Sequence, residues 1–95
     1  MDLELQFEWD EEKNLINQMK HGVSFEEATE VFYDPNCMEK YDHEHSIFEK
    51  RWKAYGLHCF KILVVFFTER NGIIRIISAR NAGKKEEEEY FKWVW

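Results

Sequence analysis

Five residues between positions 45 and 80 have side chains suited to cleavage of an RNA phosphodiester bond. That reaction needs a group that takes the proton of the 2′-hydroxyl, a group that protonates the leaving oxygen, and cations that stabilise the charge developing on phosphate. His45 and Glu49 could transfer protons, and Arg51, Arg75 and Arg80 could bind the phosphate. A structural explanation is also open, because Glu49 could pair with Arg51 or Arg75 and His45 could be an ordinary loop residue. Spacing alone favours that explanation.

Other kinds of site have less support in the sequence. His43 and His45 would lie on one side of an extended segment, and Cys37, His58 or Cys59 would then have to complete a zinc site. Because the spacing fits no closed four-ligand pattern, we predict neither a metal nor a cofactor. The sequence also contains no GxSxG, HExxH, P-loop or GxGxxG motif, so the hydrolase, metalloprotease and nucleotide-binding classes lack support.

The strands that must position these arginines lie in the middle of the chain. Two apolar runs, Ile62 to Thr68 and Ile73 to Ala79, flank an Asn-Gly pair, which predicts a β-hairpin with a two-residue loop. Positions that sum to 143 then face each other, and both faces are apolar enough to be covered. In this register Arg75 and Arg80 point to opposite faces. A β-bulge near Ser78 would be needed for both to reach one phosphate.

Helices and shorter strands are predicted around this hairpin. Helix boundaries are indicated by Asp10 as an N-cap, by Lys20-His21-Gly22 as a stop signal, and by a capping box between Ser24 and Glu27. Before the hairpin we predict a short strand or lead-in at 7–10, a helix at about 11–20, and a second helix from Ser24 to a turn at 34–36. A strand at 37–41 and a polar loop at 42–46 follow, and then a strand from Arg51 that has Trp52, Ala54 and Gly56 on one side and a turn or bulge at 56–58. A helix or helical tail is predicted after Gly83.

Length and charge place limits on the class of protein. Ninety-five residues predict one domain, 1–95, with net charge −6. Residues 1–44 have three basic and thirteen acidic residues (−10), residues 45–85 have nine basic and two acidic (+7), and residues 86–95 contribute −3. The basic centre could bind phosphates. The acidic N-terminus and the lack of a long apolar run predict no signal peptide and no membrane span, and the two cysteines predict free thiols in the cytoplasm.

Three segments of the chain resemble a known family. They are FEWDEEKNLINQMKHGVSFEEATEVFYD, DHEHSIFEKRW and LVVFFTERNGIIRIISARNAGKKEEEEYF. These segments resemble the BrnT toxins, the toxin half of bacterial type II toxin–antitoxin pairs, from Phe7 to about Tyr90, and KHGVSFEEA together with IRIISAR is quite specific. The resemblance implies a RelE-like α+β fold, with two N-terminal helices packed on a small antiparallel sheet and a C-terminal helix. It also implies metal-independent endoribonuclease activity that inhibits translation, with RNA as substrate.

The resemblance further implies a partner and roles for individual residues. A cognate BrnA-like antitoxin would inhibit the toxin in a hetero-oligomer and would alone bind DNA. Lys20-His21, His45, Glu49, Arg51, Arg75 and Arg80 stand where the polar motif residues of the family stand. Our hypothesis is that Arg75 and Arg80 contact the scissile phosphate, that Arg51 assists, and that Glu49 or His45 is the base.

Three further basic residues are predicted to bind substrate. Together with Lys20 and His21 of the family motif, the predicted substrate-binding residues are Lys20, His21, Arg70, Lys84 and Lys85. The last helix departs from the family, in which it is often strongly basic, because it reads KKEEEE here. This difference lowers the expected RNA affinity. The alternative function is therefore a catalytically weak or inactive homologue that acts as a protein-binding module in an autorepressing complex.

Overall fold

A five-stranded sheet forms the centre of the computed structural model, which describes residues 4–95. The strands are Phe7–Glu8 (β1), Met38–Tyr41 (β2), Trp52–His58 (β3), Lys61–Arg70 (β4) and Ile73–Asn81 (β5), in the order β1-β5-β4-β3-β2. The helices are Glu11–His21 (α1), Phe25–Thr29 (α2) and Lys84–Val94 (α3), with 3-10 turns at Glu30–Tyr33 and His43–His45. None of the helices in the described part of the chain is long and apolar enough to cross a membrane.

The sheet confirms the predicted α+β class but differs from the predicted arrangement in two respects. β1 runs parallel to β5 while every other neighbouring pair is antiparallel, so the sheet is mixed rather than antiparallel. The turn predicted at 56–58 is wrong as well, because β3 continues to His58 and the chain reverses at Cys59 and Phe60, both with positive φ. Gly56 instead lies against Val31, whose carbonyl oxygen would be 2.8 Å from a Cβ at that position.

The central hairpin follows the predicted register over half of its length. Asn71 and Gly72 form the turn with φ values of 54° and 79°, which is the conformation that favours these residue types. Opposed positions sum to 143 from Arg70 and Ile73 as far as Phe67 and Ile76. The register then shifts between Phe66 and Phe67, and Ile77 is the extra residue of a β-bulge.

The bulge changes which side chains share a face. Beyond it Ala79 is opposite Val65 and Arg80 is opposite Val64, so the predicted grouping of faces is wrong from Ile77 onward. Arg75 is opposite Thr68. Because positions 64 and 68 of one strand lie on the same face, Arg75 and Arg80 also lie on one face of the sheet.

Two hydrophobic clusters cover the two faces. On the first face, α1, α2 and the following 3-10 turn cover the odd-numbered residues of β4, and the cluster is centred on Phe25, Ala28, Val31, Val65 and Phe67. The predicted caps Asp10, Ser24 and Gly22 are all present, and they set the ends of α1 and the start of α2. On the other face α3 covers a smaller cluster of Tyr55, Ile62, Val64 and Tyr90.

The buried residues of α1 are polar. Asn14 and Asn17 are its buried side chains, whereas Leu15, Ile16 and Met19 are exposed. The Asn17 amide accepts a hydrogen bond from the N–H of Ala79 at 3.2 Å and donates to its C=O at 2.8 Å. The Asn17 side chain therefore satisfies the N–H and C=O of Ala79, which lies in β5 just past the bulge. The two-residue strand β1 has ended before this point and cannot pair with these groups.

Polar contacts hold α3 at three points, two of them on strands of the sheet and one on the turn after the 3-10 helix. Glu86 binds Arg80, Glu89 accepts from Lys40 at 2.6 Å, and the Tyr90 hydroxyl donates to Asp34. Burial raises the pKa of Asp34, but hydrogen bonds from Tyr90 and two main-chain amides outweigh it and hold that pKa below its usual value. Burial, followed by the same hydrogen bond, raises the pKa of Tyr90.

Candidate active site

The loop from Asp42 to Arg51, here called the Asp42–Arg51 loop, is closed on itself. The N–H of Asp42 donates to the C=O of Arg51 at 2.8 Å. The Ser46 hydroxyl donates to the C=O of Asp42 at 2.6 Å and accepts from the N–H of Arg51 at 2.9 Å. The Thr68 hydroxyl, buried in β4, donates to the C=O of Lys50 at 2.7 Å. These bonds tie the main chain of the loop at its neck and to the sheet, which fixes the positions of Asp42, Ser46 and Arg51.

Within this loop a buried carboxylate orients an imidazole. His45 Nδ1 lies 2.8 Å from Asp42 Oδ2, where the Asp42 side chain is 5% exposed and the His45 side chain 55% exposed. A carboxylate at Nδ1 favours the tautomer that carries its proton there. Nε2 is then a proton acceptor.

A cavity of about 210 Å³ lies beside this pair on the α3 face of the sheet. Its lining consists of Asp42, His45, Arg51, Phe66, Ile77 and Ser78. The Arg51 Nε atom is buried and is the only such side-chain atom in residues 4–95 without a hydrogen-bond partner. A buried guanidinium donor that lacks a partner is suited to an anionic ligand. The cavity thus combines a proton acceptor with a cation.

The ring of Phe66 extends this site toward Arg80. The centroids of the His45 and Phe66 rings are 6.4 Å apart, and the Arg80 guanidinium is 5.4 Å from the Phe66 ring centroid. Arg80 is held by Glu86 through two hydrogen bonds of 2.7 and 2.9 Å. These bonds raise the pKa of Arg80 and lower the pKa of Glu86. Arg80 therefore contributes positive charge beside the cavity while its donors bind α3.

The other predicted catalytic residues also form ion pairs. Glu49 lies between two guanidinium groups, with Oε2 at 2.9 Å from Arg70 and Oε1 at 3.8 Å from Arg51. Arg75 donates to Glu8 of β1 at 2.9 Å. Neither Glu49 nor Arg75 lines the 210 Å³ cavity.

The predicted substrate-binding residues are spread over three places. Arg70 pairs with Glu49 beside the hairpin turn. Lys20 and His21 line a cavity of about 160 Å³ on the α1 side of the bulge, which shares Ile77 and Ser78 with the larger cavity. Lys84 and Lys85 are exposed in the first turn of α3. Lys84 lines a groove of about 530 Å³ whose walls come from α3 and the adjoining Trp95, so this groove is an open helix surface.

Several residues of the site were not identified from the sequence. Asp42 orients His45, Ser46 closes the loop, and Phe66 lies between His45 and Arg80. The spacing Asp42-x-x-His45 was a signal that could have been used, since a turn brings positions three apart together. Phe66 gave no signal, because its neighbours in β4 are also apolar.

Metal-ligand geometry is not found in the described residues. In residues 4–95 no three His, Cys, Asp or Glu side chains lie close enough together to hold a metal ion. Burial, with smaller contributions from nearby carboxylates, raises the pKa of the Cys37 thiol to about 12. Cys37 is therefore a protonated, partly buried side chain rather than a thiolate.

Comparison with known proteins identifies one family. Residues 9–86 match the family described as the ribonuclease toxin, BrnT, of type II toxin-antitoxin systems. The matched range includes α1, α2, strands β2 to β5 and the whole Asp42–Arg51 loop. No curated protein matches the sequence.

Proposed function

Because this chain belongs to the BrnT family of ribonuclease toxins of type II toxin–antitoxin systems, we propose that it cleaves RNA without a metal ion at the cavity between His45 and Arg51. The observation that supports this assignment most directly is the buried Asp42 at Nδ1 of His45, next to a guanidinium that has an unpartnered buried donor. We further propose a RelE-like fold, inhibition of translation through RNA cleavage, and action in the cytoplasm.

In the proposed reaction His45 is the general base. Nε2 accepts the proton of a ribose 2′-hydroxyl, and the 2′-oxygen attacks the adjacent phosphorus. The bond from phosphorus to the 5′-oxygen breaks, which leaves a 2′,3′-cyclic phosphate and a 5′-hydroxyl. More than half of the His45 side chain is exposed, so solvent can supply the proton that the leaving oxygen takes up.

Arg51 binds the phosphate oxygens in this scheme. Arg51 lines the cavity, and a guanidinium stabilises the additional negative charge of the transition state. Arg75 and Arg80 lie on the same face of the sheet and would add positive potential where a phosphate displaces their carboxylate partners. Glu49 positions Arg51 and Arg70 rather than taking the proton, since each of its oxygens faces a guanidinium.

Contacts to the rest of the substrate are assigned to exposed cations. They are Lys20, His21, Arg70, Lys84 and Lys85, all of which are exposed. Such residues would contact phosphates on either side of the cleaved bond and would make binding dependent on salt concentration.

A test of the proposed site compares two histidines of the same loop. His45→Ala should lower the rate of RNA cleavage by about 100- to 10,000-fold, because it removes the general base. His43→Ala is the matched control, since His43 packs against Tyr41 and does not line the cavity. Purified protein would be incubated with total RNA with and without EDTA, and the ends of the products would be determined.

Three outcomes would contradict the proposal. Wild-type protein that leaves RNA intact would disprove the activity, and a His45→Ala variant as active as wild type would disprove the site. Loss of cleavage in EDTA would disprove metal independence.

A second candidate function also has a supporting observation. Arg70, Arg75 and Arg80 each bind a carboxylate, and Glu49 lies 3.8 Å from Arg51, so carboxylates partly neutralise the site. This arrangement favours a weak or inactive toxin that acts by binding a BrnA-like, DNA-binding antitoxin in a hetero-oligomer. Co-expression with the product of the adjacent reading frame would test for that complex. RNA cleavage by the chain without the antitoxin would favour the active toxin, and intact RNA would favour the inactive homologue.

A further inference from the structure

Two cavities meet at the candidate catalytic pair. The first is the 210 Å³ cavity described above, and the second has about 200 Å³ and is lined by Glu44, His45, Ile47, Phe48, Glu49 and Arg51. His45 and Arg51 belong to both. A phosphate held by these two residues would therefore lie beside both cavities, and its neighbouring nucleotides could occupy them.

The second cavity has an exposed aromatic side chain as part of its wall. Phe48 is 98% exposed and Ile47 is 80% exposed, at the tip of the Asp42–Arg51 loop. Neither residue packs in either hydrophobic cluster, so the fold gains little from their side chains. The neck of the loop is nonetheless closed by the bonds of Ser46, which holds the tip near His45.

We infer that Phe48 stacks on a nucleobase of single-stranded RNA adjacent to the phosphate bound by His45 and Arg51. The inference rests on the proposed RNA cleavage and adds a base-binding subsite to it. Every nucleobase has a flat face that can stack on an aromatic ring, but the bases of a duplex are already stacked and paired. An unpaired base is therefore the ligand that this subsite accepts. Glu49 pairs with Arg51 and Arg70, and the exposed Lys50 lies beside them in the loop, where it can contact a phosphate of the strand.

Phe60 provides a matched control. It is also fully exposed, but it lies in the turn between β3 and β4, whereas the Asp42–Arg51 loop joins the opposite end of β3. Phe60 lines none of the cavities described above. The same substitution at the two positions therefore separates a local subsite from general surface hydrophobicity.

The experiment measures binding to a short single-stranded RNA that carries 2′-O-methyl groups and cannot be cleaved by this route. Fluorescence anisotropy should show that Phe48→Ala weakens binding by about tenfold, in the range found for loss of one base–aromatic stack. Phe48→Trp should restore binding, and Phe60→Ala should bind like wild type. A duplex of the same sequence should bind more weakly than the single strand.

A second measurement identifies the stacked base. An abasic site moved along the RNA should weaken wild-type binding most at one position and should cause no further loss at that position in Phe48→Ala. Equal binding by Phe48→Ala and wild type would overturn the inference. So would a Phe48→Ala variant that loses the antitoxin but binds RNA normally, because the loop tip would then be a protein-binding surface.

These outcomes are independent of the cleavage test. A wild-type protein that does not cleave RNA but binds it through Phe48 would disprove the proposed activity and support the subsite. A wild-type protein that cleaves RNA without any contribution from Phe48 would support the activity and disprove the subsite.

Discussion

The sheet face under α1 and α2 is closed by apolar side chains, whereas the face under α3 is covered over only part of its length. Phe25, Ala28 and Val31 are fully buried on the first face. On the second face α3 covers Tyr55 and Val64, and the remaining surface carries the arginines and the candidate cavity. The difference shows how 95 residues accommodate a charged site, because one face supplies most of the buried apolar area and the other can be polar.

Polar groups are also treated differently on the two faces. On the closed face Asn14 and Asn17 are buried and their amides bind main-chain groups that water cannot reach. On the open face, besides the buried Asp42 and Thr68, the polar groups include partly exposed ion pairs such as Arg75–Glu8. Ion pairs of this kind can be exchanged for a phosphate at little cost, because they contribute little net stability.

The largest expected effect tests the closed face. Phe25→Ala should lower the free energy of unfolding by about 3–5 kcal/mol, because it leaves a cavity in the main cluster. That loss is a large part of the roughly 5–15 kcal/mol that stabilises a domain of this kind. Urea denaturation followed by tryptophan fluorescence would measure it. Phe60→Ala, at an exposed position, should change stability by less than about 0.5 kcal/mol, and similar losses in both variants would contradict the comparison.

A smaller effect is expected from the buried amide beside the bulge. Asn17→Leu keeps the size of the side chain but leaves the N–H and C=O of Ala79 without partners, which should cost about 1–3 kcal/mol. Gln6→Leu, at an exposed amide, is the control. Hydrogen exchange at Ala79 should accelerate in Asn17→Leu alone. An unchanged exchange rate would show that Asn17 does not protect this edge.

The smallest effect tests how α3 is held on the open face. The pKa of Glu86 is lowered by its hydrogen bonds to Arg80. The pair therefore stabilises the fold fully at pH values above the ordinary pKa of the carboxyl, and this stabilisation is lost as the pH falls through the lowered pKa. Glu86→Gln should therefore reduce stability by about 1 kcal/mol near neutral pH and by almost nothing in acid.

The measurement is urea denaturation of wild type and Glu86→Gln at about pH 7 and about pH 2, below both the ordinary and the lowered pKa of the carboxyl. Glu87→Gln is the control, because Glu87 is exposed in the same turn of α3. A difference between Glu86→Gln and wild type that is the same at both pH values would show that the pair does not hold α3 through its charge.

Local signals predicted the elements of this fold well. Asp10, the Ser24–Glu27 capping box and the Asn71-Gly72 turn act through atoms a few residues apart, and each is found as predicted. The turn at Cys59 and Phe60 was missed because neither residue type favours positive φ. The bulge at Ile77 gave no local signal, because Ile76 and Ile77 are alike, and a bulge near Ser78 was expected only if Arg75 and Arg80 were to reach one phosphate.

The candidate site was less predictable than the fold because it depends on contacts between distant parts of the chain. His45 and Arg51 could be named from their chemistry, but their common cavity depends on Ser46, on Phe66 in β4 and on the bulge in β5. Leu15, Ile16 and Met19 would also suggest an inward apolar face for α1. That face points outward, because Asn14 and Asn17 must reach the main chain.

The extra residue at Ile77 decides which face the end of β5 presents. If the hairpin kept its regular pairing without a bulge, Arg80 would be opposite Leu63 and Ala79 would be opposite Val64. Arg80 would then enter the apolar cluster, Ala79 would leave it, and the chain would emerge toward α1 instead of toward the side that α3 occupies. Deleting Ile77 should keep the present partners of Ala79 and Arg80 and remove only the bulge, whereas a residue added to β5 beyond the bulge would shift both to the opposite face.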